Sequence, residues 1–311
     1  MAERTGTILD EILAKKRQEV DARKARVAMD LIELKLRRTP PPRDFLAALR
    51  RGAGKPVRVI AELKRASPVK GVFVQDYNPE RIAGEFARGG AAALSVLTDE
   101  SFFLGSLTHL PIARRGLDAV GSAIPLLRKD FLIDPYQVAE ARAWGADACL
   151  LIVASLDDAM LATLHAAVLE YGMTVLVEVN NAAELARAVA VGATLIGVNQ
   201  RDLRNFSVNT DLAADLAARM PRATVRAALS GIKNADDMRR LADAGFDAAL
   251  VGESVITAAD RTAAVRALAE PDPSPAPSDA RREQANANKA SHPSPAHGGG
   301  AGGSIRGGNR P

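Results

Sequence analysis

Residues 57–64 read Val57-Arg58-Val59-Ile60-Ala61-Glu62-Leu63-Lys64, a short β-branched, apolar run that ends in charge. Seven further runs of this kind follow: 92–98 (AALSVLT), 125–130 (PLLRKD), 148–154 (ACLLIVA), 174–180 (TVLVEVN), 195–200 (LIGVNQ), 224–230 (TVRAALS) and 248–254 (AALVGES). Several are almost continuously hydrophobic, as expected of parallel strands covered on both faces. Each gap between them is long enough for one helix. Gly89-Gly90, Gly145, Gly192 and Gly245 each close a helical pattern just before a strand, where a left-handed helix C-cap belongs. Eight βα units between residues 55 and 270 predict a closed (β/α)8 barrel of the α/β class. An open doubly wound sheet is the alternative, but no G-x-G-x-x-G follows the first run.

Outside this repeat the chain changes character. Ile8, Leu9, Ile12, Leu13, Val20, Val27 and Leu31 follow roughly helical spacing, and Pro40-Pro41-Pro42 marks a stop. Residues 1–50 are therefore expected to form an N-terminal helical extension packed on the barrel, with a dimerisation helix as the alternative. Residues 51–270 form the barrel domain. Residues 271–311 are rich in Pro, Gly, Ser, Ala and Asn and nearly without large apolar side chains. Such a stretch cannot bury enough surface to offset its ordering entropy, so a disordered C-terminal tail is expected.

Composition narrows the function classes. The chain of 311 residues is 47% apolar and 25% charged, which is ordinary for a soluble globular protein. Its longest apolar run, 148–154, is far short of the roughly 20 residues that a spanning helix needs. The N-terminus lacks the apolar core of a secretory signal. A single cysteine, Cys149, rules out an internal disulfide framework and a cysteine-based zinc site. A soluble, cytoplasmic protein is expected, with no membrane partner. The net charge of +4 is spread along the chain and aromatics are 4%, which argues against a nucleic-acid partner. Lys15-Lys16-Arg17 alternates with acids along a helical pattern and is read as a solvated face.

The runs carry polar residues where a purely structural barrel would not need them. Strand residues two apart point the same way, and barrel active sites sit at the strands' C-terminal ends. Glu62 and Lys64 share the parity of Ile60, and Lys129 that of Leu127. The fifth run offers Glu178 and Asn180, and the sixth Asn199 and Arg201. Any one of these could be a solvated end residue. Together, on four strands near one rim, they predict a shared polar site, because burying them without partners or a ligand is costly. Ser230-Gly231 and Gly252-Glu253-Ser254 follow the seventh and eighth runs, the place where such barrels hold a phosphate on backbone N–H groups. Histidine chemistry lacks material: His292 and His297 lie in the tail, His109 and His165 in helical patterns. Acid–base work falls to Lys and Glu.

These residues resemble a known family, indole-3-glycerol phosphate synthase of tryptophan biosynthesis. The matching stretches are Ile60-Ala61-Glu62-Leu63-Lys64-Arg65-Ala66-Ser67-Pro68, Leu126-Leu127-Arg128-Lys129-Asp130-Phe131 and Leu176-Val177-Glu178-Val179-Asn180. Two more are Ile196-Gly197-Val198-Asn199-Gln200-Arg201-Asp202-Leu203 and Val251-Gly252-Glu253-Ser254. The likeness runs from about residue 6 to residue 269, leaving out the tail. It implies closure of the indole ring of 1-(2-carboxyphenylamino)-1-deoxyribulose 5-phosphate with loss of carbon dioxide and water, using no metal and no organic cofactor. By resemblance, Lys129 is the general acid, and Lys64 holds the substrate carboxylate and supplies a proton during dehydration. Glu178 and Glu62 stabilise a cationic intermediate or take up protons. Asn199 and Arg201 position the substrate, with Ser67, Ser230, Gly231, Gly252, Glu253 and Ser254 around its phosphate. A monomer is expected, with a dimer as the alternative.

One position departs from the pattern. The family ordinarily reads Glu-Ser-Gly-Ile after the seventh strand, and this chain reads Leu229-Ser230-Gly231-Ile232. Losing a carboxylate beside lysines and a developing positive charge would cost on the order of 3 kcal/mol, roughly a hundredfold in rate. Two rivals follow: a synthase-like barrel that binds phosphorylated ligands without efficient turnover, and a barrel lyase or isomerase acting on a related sugar phosphate.

Overall fold

The computed structural model describes residues 7–201 and 212–270. The expected tail therefore lies outside the described residues, as do His292, His297, Asp202 and Leu203. Eight parallel strands close on themselves: β1 (Arg58–Leu63), β2 (Ala93–Leu97), β3 (Leu126–Lys129), β4 (Ala148–Ile152), β5 (Thr174–Val179), β6 (Leu195–Asn199), β7 (Val225–Leu229) and β8 (Ala248–Val251). The ring is sealed by β1 against β8, with Arg58 opposite Ala248 and Ala61 opposite Val251. This is the TIM barrel expected from the strand count, and the open sheet is excluded.

The chain enters through α1 (Ile8–Arg26), α2 (Met29–Leu36) and α3 (Phe45–Leu49). The outer ring is α4 (Pro79–Arg88), α5 (His109–Asp118), α6 (Pro135–Ala143), α7 (Asp158–Glu170), α8 (Ala182–Ala190), α9 (Leu212–Ala217), α10 (Ala235–Asp243), α11 (Glu253–Ile256) and α12 (Arg261–Ala269). Local chemistry fixes where these begin. Asp134 caps α6 by accepting from Tyr136 N–H at 2.9 Å, with Pro135 in the first turn. Asp157 caps α7 in the same way through Met160 N–H. The expected glycine stops are present: Gly90, Gly145, Gly192 and Gly245 have φ between 79° and 92°.

Strand parity divides the core into two layers. Ile60, Leu127, Leu150, Leu176, Leu195 and Leu250 fill the barrel, while Val59, Leu63, Val96, Val177 and Val198 pack outward against the helices. Leu9, Ile12 and Leu13 of α1 join the inner cluster, so the extension covers one end of the barrel. The apolar stripe read for the extension holds only in part. Leu9, Ile12, Leu13 and Val20 are buried, but Val27 and Leu31 are exposed, Leu31 by 54%. A small antiparallel hairpin pairs Ala66–Ser67 with Gly71–Val72 just after β1. The sequence reading did not anticipate it.

Candidate active site

Glu62 and Lys64 stand where β1 runs out. Lys64 Nζ lies 2.9 Å from Glu62 Oε2, and Ser95 Oγ on β2 donates to Glu62 Oε1 at 3.4 Å. Burial alone would raise the Glu62 pKa. The charges of Lys64 and Lys129 and the two hydrogen bonds outweigh it, holding this carboxyl below the ordinary carboxylate range. Glu62 is therefore an ionised group at neutral pH. The ammonium of Lys64 also sits 5.4 Å from the Phe73 ring centroid, beyond the hairpin.

Lys129 ends β3 between two buried residues that face the other way. Arg128 is fully buried and spans Thr98 Oγ1 at 3.1 Å, Gln137 O at 2.6 Å and Asp130 Oδ2 at 3.0 Å. Asp130 also accepts from Thr98 Oγ1 at 2.6 Å. Alternation along the strand then turns Lys129 inward while its neighbours are locked outward. The network is completed from the extension, where Lys16 Nζ lies 2.9 Å from Asp130 Oδ1 and 2.7 Å from Asp99 Oδ2. Lys16 is only 1% exposed, which corrects the reading of Lys15-Lys16-Arg17 as a uniformly solvated face. The pattern of alternating charge could not reveal that one of these three basic residues faces buried acids.

On the opposite wall, Asn199 Nδ2 donates to Glu178 Oε1 at 2.8 Å, and Asn199 Oδ1 accepts from Arg201 N–H at 3.0 Å. The amide thus fixes the carboxylate of one strand and the backbone leaving the next. Glu178 is buried, and among the described residues its Oε2 has no hydrogen-bond partner. Asn180 does not line the cavity. Its side chain donates to Asn199 O at 2.6 Å and Arg201 O at 3.3 Å, bracing the ends of β5 and β6.

The last two strands bring small residues to the same rim. Ser230 adopts a left-handed φ of 66°, unusual for a residue with a Cβ, and its carbonyl accepts from Gln200 Nε2 at 2.7 Å. A Cβ at Gly252 would lie 2.6 Å from Glu62 Oε2 and 3.0 Å from Lys64 Nζ, so a larger residue there would displace the ends of these two side chains. Glu253 pairs with Lys70 of the hairpin at 2.5 Å, across the opening.

One cavity collects these groups. Counting the open solvent at its mouth it spans about 800 Å³, and it is lined by Glu62, Lys64, Ser67, Lys129, Glu178, Asn199, Arg201, Ser230 and Glu253. Its apolar wall comes from Phe73, Leu97, Phe103, Leu229 and Leu250. Gly252 abuts it through Glu62 and Lys64. Gly231 lies instead beside an adjoining recess with Gln200 and Ile232, and Ser254 Oγ donates to Ile232 O at 3.3 Å. Cations for an anionic ligand, a buried carboxylate and an aromatic wall share one space. Among the described residues, no group of three or more His, Cys, Asp or Glu is arranged to hold a metal, and no helix is long and apolar enough to cross a membrane.

The family profile for indole-3-glycerol phosphate synthase matches residues 9–268. The indole-3-glycerol phosphate synthase of Roseiflexus sp. (strain RS-1) is 48% identical over 265 residues, covering 84% of this chain and 98% of that protein. That of Chloroherpeton thalassium (strain ATCC 35110 / GB-78) is 49% identical over 252 residues, covering 81% and 95%. Among solved structures, 3-hexulose-6-phosphate synthase from Salmonella typhimurium matches with a TM-score of 0.52 at 16% identity, over 69% of this chain and 97% of that one, a likeness of fold alone. Profile and relatives span both the barrel and the extension, and the chain belongs to the indole-3-glycerol phosphate synthase family.

Proposed function

We propose that this chain closes the indole ring of 1-(2-carboxyphenylamino)-1-deoxyribulose 5-phosphate in tryptophan biosynthesis, acting as a carboxy-lyase. The observation that carries the reading is the single cavity lined by Glu62, Lys64, Lys129, Glu178 and Asn199 in a chain of this family. Lys129 donates a proton to the ketone oxygen while the ring carbon bearing the carboxylate attacks the carbonyl carbon. Carbon dioxide then leaves and the benzene ring regains its aromaticity. Lys64 first holds the carboxylate and afterwards protonates the departing hydroxyl, which leaves as water. Glu62, held ionised by two lysines, stabilises the cationic intermediate. Glu178 takes the final proton from the adjacent methylene on its unpartnered Oε2.

Asn199 and Arg201 position the substrate. Its phosphate is held by Ser67 and Ser230 with the backbone N–H groups of Gly231, Gly252, Glu253 and Ser254 at the ends of β7 and β8. Residues 1–50 serve as the extension, 51–270 as the catalytic domain and 271–311 as a tail outside it. The chain works as a cytoplasmic monomer, a dimer being the alternative, on a small phosphorylated substrate without nucleic acid. Neither rival, the binding module or the related sugar-phosphate lyase, finds support in the relatives.

The test is incubation of the purified chain with that substrate while the fluorescence of the indole product is followed. Product formation at a rate proportional to enzyme supports the reading. Binding without product at high enzyme concentration overturns it in favour of the module.

A further inference from the structure

Lys16 lies in the middle of α1, on an element that carries none of the proposed catalytic groups, yet it is among the most deeply buried side chains of the chain. Lysine is almost never buried without partners. Here its Nζ touches Asp99 Oδ2 at 2.7 Å, Glu19 Oε2 at 2.7 Å and Asp130 Oδ1 at 2.9 Å. Asp130 has further support from Arg128 and Thr98. Asp99 does not: among the described residues no second cation pairs with it.

The other oxygen of Asp99 organises the turn that follows β2. Its Oδ1 accepts from Phe102 N–H at 2.8 Å and Phe103 N–H at 3.2 Å, and its carbonyl accepts from Gly105 N–H at 2.7 Å. That turn sets Phe103 on the cavity wall and holds the next residue, Leu104, at a left-handed φ of 51°. A backbone of this kind persists only where its surroundings over-determine it. One carboxylate therefore grips the turn with one oxygen and the extension with the other.

We infer that Lys16 is a positioning residue: by pairing with Asp99 it holds the 99–105 turn in the form that places Phe103 against the substrate, so that α1 tunes ligand binding without touching the ligand. The inference rests on the reading of this cavity as the substrate site. It predicts an effect on KM rather than on the chemical step, because Lys64 and Glu178 are anchored apart from the turn and Asp130, beside Lys129, keeps Thr98 and Arg128 when Lys16 is lost.

The experiment compares kcat, KM and melting temperature for the wild type, Lys16→Met, Asp99→Ala, Asp99→Asn and the Lys16→Met/Asp99→Ala double variant. Lys16→Met and Asp99→Ala are each expected to raise KM about tenfold with kcat within about twofold. The double variant should be no worse than either single one, since both act through one contact. Asp99→Asn keeps an oxygen for the two amides but loses the charge that pairs with Lys16, and should raise KM about tenfold as Lys16→Met does. If Lys16→Met does not fold, Asp99→Asn still decides: a KM raised about tenfold supports the pairing, and a wild-type KM overturns it. Wild-type turnover with an unchanged KM in Asp99→Ala, or with KM effects that multiply in the double variant, overturns this inference alone. No turnover in the wild type overturns it together with the proposed function.

Discussion

Leu229 of β7 lies directly over Gly197 of β6: a Cβ built on Gly197 would come within 2.6 Å of Leu229 Cδ1 and 3.1 Å of Leu176 Cδ1. The absent side chain at 197 makes room for the leucine. Leu229 stands opposite Asn199 in the strand register, is 1% exposed and forms part of the cavity wall. The apolar departure read from the sequence is thus a packed residue of the site. It borders the wall that carries Glu178, whose buried Oε2 has no hydrogen-bond partner among the described residues.

Leu229→Glu is expected to raise kcat/KM, by about tenfold, because a carboxylate there would face the cationic side of the cavity and the charge that develops in ring closure. Steady-state turnover of the carboxyphenylamino substrate measures this. A rate equal to or below that of the wild type would show that the pocket has been rebuilt around leucine.

Glu178→Gln keeps the shape of the side chain and an oxygen for Asn199 but removes the proton acceptor. A fall in kcat of about a hundredfold, with KM changed by less than about threefold, is expected from loss of a general base. Equal losses in kcat and in affinity, measured by ligand titration, would assign Glu178 to binding instead.

Acid stability should report the Asp130 network. Burial by itself would raise the Asp130 pKa; Lys16 and Arg128, with the hydroxyl of Thr98, outweigh it and hold this carboxyl well below the usual range. The folded chain thus releases this proton more readily than the unfolded one. Its contribution to stability is present above the ordinary carboxylate pKa, about 4, and is lost as pH falls toward the depressed folded value. Glu62, shifted in the same direction, adds to the same limb. Asp130→Asn should cost about 3–5 kcal/mol near neutral pH, as for a broken buried pair, and flatten the acid limb of a melting-temperature profile. An unchanged acid limb would remove Asp130 from this account.

Much of this was legible because eight short apolar runs separated by helix-length gaps are a strong signal. The eight runs became the eight strands, and the parity of Glu62, Lys129, Glu178 and Asn199 with their inward apolar neighbours took each of them to the cavity. What stayed hidden depends on long-range contact. Asn180 has inward parity, but its amide is captured by two carbonyls, Asn199 O at the end of β6 and Arg201 O just beyond it. Lys16 looks like its neighbours in a charged helix, and only the packing of α1 onto the ends of β2 and β3 selects it. The hairpin at 66–72 spans too few residues to show a period of its own.

The most direct test of convergence at one rim is the paired measurement of ring closure and substrate binding in the wild type and in Lys129→Met. The account predicts fluorescent indole product from the wild type. For the variant it predicts binding within about tenfold of wild type, an unchanged melting transition and a loss of at least about a thousandfold in product formation. Full-rate turnover by Lys129→Met would contradict it.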